Sequence, residues 1–146
     1  MMFVGRHNDP VGNSIGKWYS NQIQQEVHGP YVVVGWGSEL GKFTKCLFFN
    51  EYTGANINVH IYAPRVVTKD LMTVLFMYPF EQLKVERLMA KPPRDNKKML
   101  SLLPKAGFQY EATLKRYYGP SKDNDAIVFV YFKEQWIEKN GYKRAA

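Results

Sequence analysis

One cysteine, three histidines and no long apolar run set the first limits on this 146-residue chain. Cys46 has no internal partner, so neither a disulfide framework nor a thiolate-built metal site is available. His7, His28 and His60 lie far apart, show no ligand spacing and have no acidic cluster beside them, so no metal is expected. No stretch approaches the roughly 20 apolar residues of a membrane-spanning helix, and the first six residues turn polar too soon for a secretory signal. A cytoplasmic protein without a membrane partner is the expectation. Acidic residues are scarce too, 13 against 20 lysines and arginines, and the formal charge of +7 favours an anionic partner, nucleic acid or a phosphate-rich ligand among them. The chain has no internal repeat, low-complexity segment or linker, and no Ser/His/Asp or Cys/His arrangement stands out. With 45% hydrophobic and 15% aromatic residues, disorder is excluded and residues 1–146 read as one domain with a sizeable core.

What is present is a succession of strand and helix signals centred on residues 55–108. Residues 56–62 (NINVHIY) put Ile57, Val59 and Ile61 on one face and Asn56, Asn58, His60 and Tyr62 on the other, the period of a strand. A loop over 64–70 then enters a helix with Thr68 as N-cap and Asp70 in the first turn, and Leu71, Leu75 and Tyr78 recur at helical spacing. A second strand is expected over 85–91, followed by Pro92-Pro93 and a helix ending at Gly107. A helix crossing between two strands makes them parallel. Upstream, a helix is expected over 14–27, with Ile15, Trp18, Tyr19, Ile23 and Val27 on one stripe, then a hairpin of strands 31–36 and 42–50. Downstream, 111–118 and 126–132 read as an antiparallel pair, and Trp136 precedes a basic tail of Lys139, Lys143 and Arg144.

Three places can carry chemistry. The start of the helix after Thr68 offers unpaired backbone N–H groups and a positive dipole end, with Arg65 and Lys69 adding charge; it is either a phosphate site or an ordinary capped helix start. Four polar groups in register on a strand expected to be central suggest a wet cleft. Within it His60 is the one titratable group whose unperturbed pKa lies near neutrality, and it is either a base or a hydrogen-bonded structural histidine. The third is Asp95-Asn96 after the two prolines, where either residue can cap the helix that follows.

The phrases YPFEQLKVERL (78–88), Asn96 and KAGFQYEATL (105–114), in that order, resemble the Gcn5-related N-acetyltransferase family. Within it the resemblance is to the short acetyltransferases of bacteriophages and prophages, which carry a YPF-x-QL phrase, and it spans about residues 29–136. It implies a mixed α/β sheet with antiparallel N-terminal strands, a central parallel pair joined by a helix crossover, and here an N-terminus trimmed of the opening strand. It implies direct transfer of an acetyl group from acetyl-CoA to an amine of a protein or small molecule, without metal, in the host cytoplasm if the protein is phage-encoded. By resemblance the pyrophosphate falls at Arg65, Val66, Val67, Thr68 and Lys69, the pantetheine arm at Asn96, and the base at His60 with Asn58 beside it. Two features depart from the family pattern: the loop lacks its glycines, and Leu103 stands where a general-acid tyrosine is frequent, leaving Tyr110, Tyr117 and Tyr118 as unselected phenols. Those departures leave open the same fold serving as a non-catalytic binding or virion-associated module. Charge, together with Lys115-Arg116 among Tyr117, Tyr118, Phe129, Tyr131 and Phe132, leaves open a nucleic-acid platform, though strand aromatics also serve as core. Monomer and homodimer are both compatible with the sequence.

Overall fold

Seven strands in the order β1-β2-β3-β4-β5-β7-β6 form one continuous sheet in the computed structural model, which describes the backbone of residues 1–145 and the side chains of residues 1–140. Along the chain these are β1 (Met2–Arg6), α1 (Pro10–Ile23), β2 (Val32–Glu39), β3 (Lys42–Asn50), β4 (Asn56–Tyr62), α2 (Lys69–Met77), β5 (Arg87–Ala90), α3 (Lys97–Lys105), β6 (Gln109–Leu114), β7 (Ala126–Phe132) and α4 (Lys133–Ala145). Every neighbouring pair is antiparallel except β4 and β5, which are parallel as the helix crossover requires.

Alternation along the strands divides the core between two faces. On the back face Leu47, Phe49, Ile57, Val59 and Leu88 pack against Leu71 and Leu75 of α2 and Met99 and Leu103 of α3. On the front face Val33, Cys46 and Phe48 pack under Ile15 and Tyr19 of α1. Phe76 and Phe80 stack on Trp136, which brings α4 to the back layer. The strand aromatics Phe129 and Tyr131 are core. Tyr117 and Tyr118 meet each other edge to face at 4.9 Å rather than extending a platform.

The expected trimming of the N-terminus is corrected: Met2–Arg6 forms an opening strand that pairs with β2, Val4 opposite Val34. It is an edge strand with Gly5 as its one buried residue, so it leaves no alternation to read. Gly5 and Gly12 let β1 and α1 pass backbone to backbone, since a Cβ on Gly12 would overlap the carbonyl of Arg6. The first helix also starts earlier than its stripe suggests. Asp9 caps it by accepting from Gly12 N at 2.6 Å, Pro10 opens it, and Gln24 in a left-handed conformation (φ 54°) ends it before Val27.

The helix after Thr68 begins where expected, with Thr68 Oγ1 accepting from Leu71 N at 3.3 Å. Beyond Met77 it widens into a π-helical turn over Tyr78–Leu83, where Pro79 has no N–H to offer an α-helical ladder. β5 is shorter than residues 85–91, because the chain is still closing that turn at Val85, whose N–H donates to Pro79 O at 3.1 Å. β6 lies at Gln109–Leu114 rather than 111–118, ahead of turns that lead into β7. Pro104 sits in the last turn of α3, and the helix stops at the next residue, Lys105. Lys143 and Arg144 of the basic tail lie outside the described side chains.

Candidate active site

The parallel pair is held by three register positions, Asn56↔Arg87, Ile57↔Leu88 and Asn58↔Met89. β4 continues to Tyr62 in contact with β3, whereas β5 stays with β7 and ends at Ala90. The two strands part after Asn58. Past the split, Pro92 and Pro93 stay with β7: Pro92 O accepts from Ile127 N at 2.9 Å and Pro93 bridges to Ala126. The fork opens into a cleft of about 550 Å³ lined by Tyr19, His60, Lys91, Asn96 and Tyr118 among others. Ligands of α/β sheets collect at such carboxyl ends of parallel strands.

His60 stands on β4 just past the last parallel pair, on the front face with Asn58. Phe48 crosses its ring at 5.7 Å and Tyr19 lies at 6.5 Å. Burial first, then the ammonium of Lys91, pushes its pKa down to about 4, against a smaller opposing pull from Glu51. The imidazole is therefore neutral at pH 7. Asn58 is fully buried. Its amide reaches Asn50 Oδ1 at 2.9 Å and His60 Nε2 at 3.0 Å, and its Oδ1 has no hydrogen-bond partner among the described residues. Turning both amides over reverses the polarity of the chain without moving a ring or backbone atom. His60 Nε2 then donates to Asn58, and the lone pair is on Nδ1.

On the other prong Lys91 follows Ala90 with its side chain only 9% exposed. Its ammonium donates to both carboxylate oxygens of Glu51 at 2.8 and 3.0 Å and to Tyr117 Oη at 3.2 Å. The phenol of Tyr118 donates to the main-chain carbonyl of Lys91, and burial pushes its pKa up to about 12. Of the three phenols left unselected by the sequence, Tyr118 is the one on the cleft wall. Tyr110 pairs with Thr113 on the edge strand, and Tyr117 covers Lys91. Tyr19, from α1, is a second phenol on the cleft wall, and burial raises its pKa strongly. Leu103 is buried in the back core and is itself among the residues lining the cleft.

Beyond the end of β4, residues 64–66 are exposed, Val66 at 64%, and run into the N-terminus of α2. Asp70 turns away from that end: its Oδ2 accepts from Trp36 Nε1 at 2.7 Å. Arg65 and Lys69 are exposed beside it. Asn96 both lines the cleft and caps α3, accepting from Met99 N at 3.2 Å, so its two readings coincide. α3 carries Lys97 and Lys98 and no acid in its first turn, the opposite of what the helix dipole favours. Lys98 reaches back to the carbonyls of Ala63 and Arg65, which ties α3 to the loop before α2.

Of the residues singled out, His60 and Asn96 line one cleft; Asn58 is fully buried behind His60 and held to it, and Arg65, Val66, Val67, Thr68 and Lys69 lie outside the cleft wall, in the segment that leads from β4 into α2. Lys91, Glu51 and Lys98 were not singled out from the sequence, and Tyr19 was seen only as an apolar stripe residue. Only Lys91 left a signal, lying two residues past Met89 just as His60 lies two past Asn58. No cluster of three metal-ligating side chains occurs among the described residues, and no described helix is long and apolar enough to cross a membrane.

No family model and no curated protein matches this sequence. Solved structures do. A spermidine N-acetyltransferase SpeG chimera from Vibrio cholerae and hSSAT is 13% identical, with a TM-score of 0.69 over 93% of this chain and 98% of that one. The Salmonella typhimurium protein yncA with its cofactor acetyl-CoA is 13% identical, with a TM-score of 0.63 over 90% and 94%. A GCN5-related N-acetyltransferase from Brucella melitensis is 13% identical, with a TM-score of 0.61 over 82% and 58%. Strand order, the forked parallel pair and these likenesses together identify the fold of this chain as that of the Gcn5-related N-acetyltransferases.

Proposed function

We propose that the protein transfers the acetyl group of acetyl-CoA to an amine, as an enzyme of the bacteriophage type acting in the cytoplasm. The observation that carries this reading is the fork itself: parallel strands that part after Asn58, with a neutral imidazole in the gap, and a chain that leaves the end of β4 to enter the N-terminus of α2. The pyrophosphate is held by the first N–H groups of α2 together with Arg65 and Lys69. With no glycine in residues 64–70, charge does the work that close backbone approach would otherwise do. Asn96 faces the pantetheine arm from the other side of the fork.

His60 takes the amine proton on Nδ1, in the arrangement where Nε2 donates to Asn58. The neutral amine attacks the thioester carbonyl, its nitrogen giving up that proton as the N–C bond forms, the C–S bond breaks, and sulfur receives a proton. We assign that proton to Tyr118, whose phenol stays protonated at working pH and stands at the β5 prong. The tyrosinate regains its proton through the imidazolium, so amine and thioester become amide and thiol.

The test is thiol release from acetyl-CoA with a panel of amines: polyamines, amino acids, aminoglycosides and peptides with free N-termini or lysines. His60→Gln should lower turnover by about 10²–10⁴-fold with cosubstrate affinity little changed, and Tyr118→Phe should lower turnover as well. Full turnover in His60→Gln would remove the base from this account. Binding of acetyl-CoA without turnover on any amine would favour the non-catalytic module, and binding of nucleic acid in its place would favour the platform.

A further inference from the structure

Lys91 and Glu51 belong to strands on either side of β4. In the order β3-β4-β5, Glu51 follows the end of β3 and Lys91 follows the end of β5, yet their side chains meet at 2.8 Å. Second-neighbour strands lie nearly 10 Å apart, so the ion pair must pass over the face of β4. That face is the front one: Met89 pairs with Asn58, and Lys91 lies two residues beyond Met89 on the same side. Extending the register one step further sets Lys91 opposite His60 across the fork.

We propose that Lys91 is a positioning residue of this cleft: strapped over β4 to Glu51, its ammonium faces His60 and keeps the imidazole uncharged and available as a base. Only the consequence for turnover rests on the acetyltransferase reading. Three further observations support a held charge rather than a chance surface pair. Tyr117 closes over the ammonium, with its ring centroid at 5.0 Å and its hydroxyl at 3.2 Å. Burial works against the Lys91 ammonium, but Glu51 and Tyr117 outweigh it and hold its pKa above the ordinary lysine value. Glu51 occupies a left-handed backbone position (φ 54°) that glycine would fill with less strain, as befits a residue kept there for its side chain.

The other groups around His60 do not take over this role. From α1 comes Tyr19, from β4 itself Tyr62, and from the turn before β7 Tyr118, all phenols. Glu26 and His28, after α1, and Asp95, before α3, line the outer cleft but are solvent-exposed. Lys91 and Glu51 are the charged groups that act on the imidazole, with opposite signs.

Opposite signs make the test decisive. The ring of His60 is titrated by NMR in the full-length wild type and in Lys91→Met, Glu51→Gln and Lys91→Arg, with folding followed by thermal melting. Lys91→Met should raise the titration midpoint by about one pH unit or more, Glu51→Gln should lower it, and Lys91→Arg should leave it near the wild-type value. A midpoint unmoved by Lys91→Met, or one that rises in both Lys91→Met and Glu51→Gln, would overturn the proposal, the latter by showing a merely loosened site. Should Lys91→Met fail to fold, Glu51→Gln decides alone, since a midpoint that rises or stays put contradicts it. In turnover assays the acid limb of the pH–rate profile should move with the midpoint. A wild type without acetyl transfer would refute the proposed function and leave the titration result standing.

Discussion

Protonating His60 should weaken the fold over a defined pH range. In the unfolded chain the imidazole titrates near 6.5, and in the folded one near 4, because a mostly buried ring packed by Tyr19 and Phe48, with the Lys91 charge acting on it, resists a positive charge. As pH falls the unfolded chain takes up the proton first. Stability is therefore whole above about 6.5 and is lost as pH falls toward about 4. A displacement of this size is worth about 3 kcal/mol, a large part of the total stability of a small domain. Urea unfolding of wild type and His60→Gln at half-unit steps from pH 4 to 7 measures it. The wild type should lose about 3 kcal/mol more than the variant across that span. The glutamine of that variant keeps an amide for Asn58 to meet, so the comparison isolates the charge. Asp9 and Asp125 do not confuse it. Backbone hydrogen bonds from Gly12 to Asp9 and from Arg116 to Asp125 hold their carboxyls below the ordinary carboxylate range, so their contributions disappear below this window. Parallel pH dependence in wild type and variant would refute the reasoning.

Two further substitutions test how the frame is held. Gly12→Ala should destabilise by several kcal/mol in urea unfolding, because the added methyl meets the backbone of β1 and has nowhere to go; a loss under about 1 kcal/mol would mean that β1 is not held against α1. Thr68→Ala removes the side-chain cap of α2 and should cost about 1 kcal/mol in the same assay.

Much of this architecture was legible because its elements have clean periods. β3, β4 and β7 have the expected limits, since each alternates or runs apolar between turn residues, and Thr68 caps the helix it was expected to cap. β1 was missed because an edge strand with one buried glycine carries no pattern. The early start of α1 was there to be read in Asp9-Pro10, a cap followed by a proline at the first helical position, but that pair also spells a turn. The widening at Tyr78–Leu83 depends on how Pro79 disposes of its missing donor, which periodicity does not encode. In the site, His60 and Asn58 were visible on the polar face of a cleanly alternating strand. Lys91 and Glu51 were not, and Tyr117 stood only among unselected aromatics, because residues 40 and 26 apart meet only once the order of the strands is known.

Calorimetric titration with acetyl-CoA tests the central claim most directly. The account predicts that the wild type binds and that rising salt weakens binding, since Arg65 and Lys69 at the start of α2 hold the phosphates. Arg65→Ala should weaken it by about 1–3 kcal/mol, the scale of a charge-assisted hydrogen bond. Absence of binding to the wild type at millimolar acetyl-CoA would contradict the account and leave the fold as a scaffold for another role.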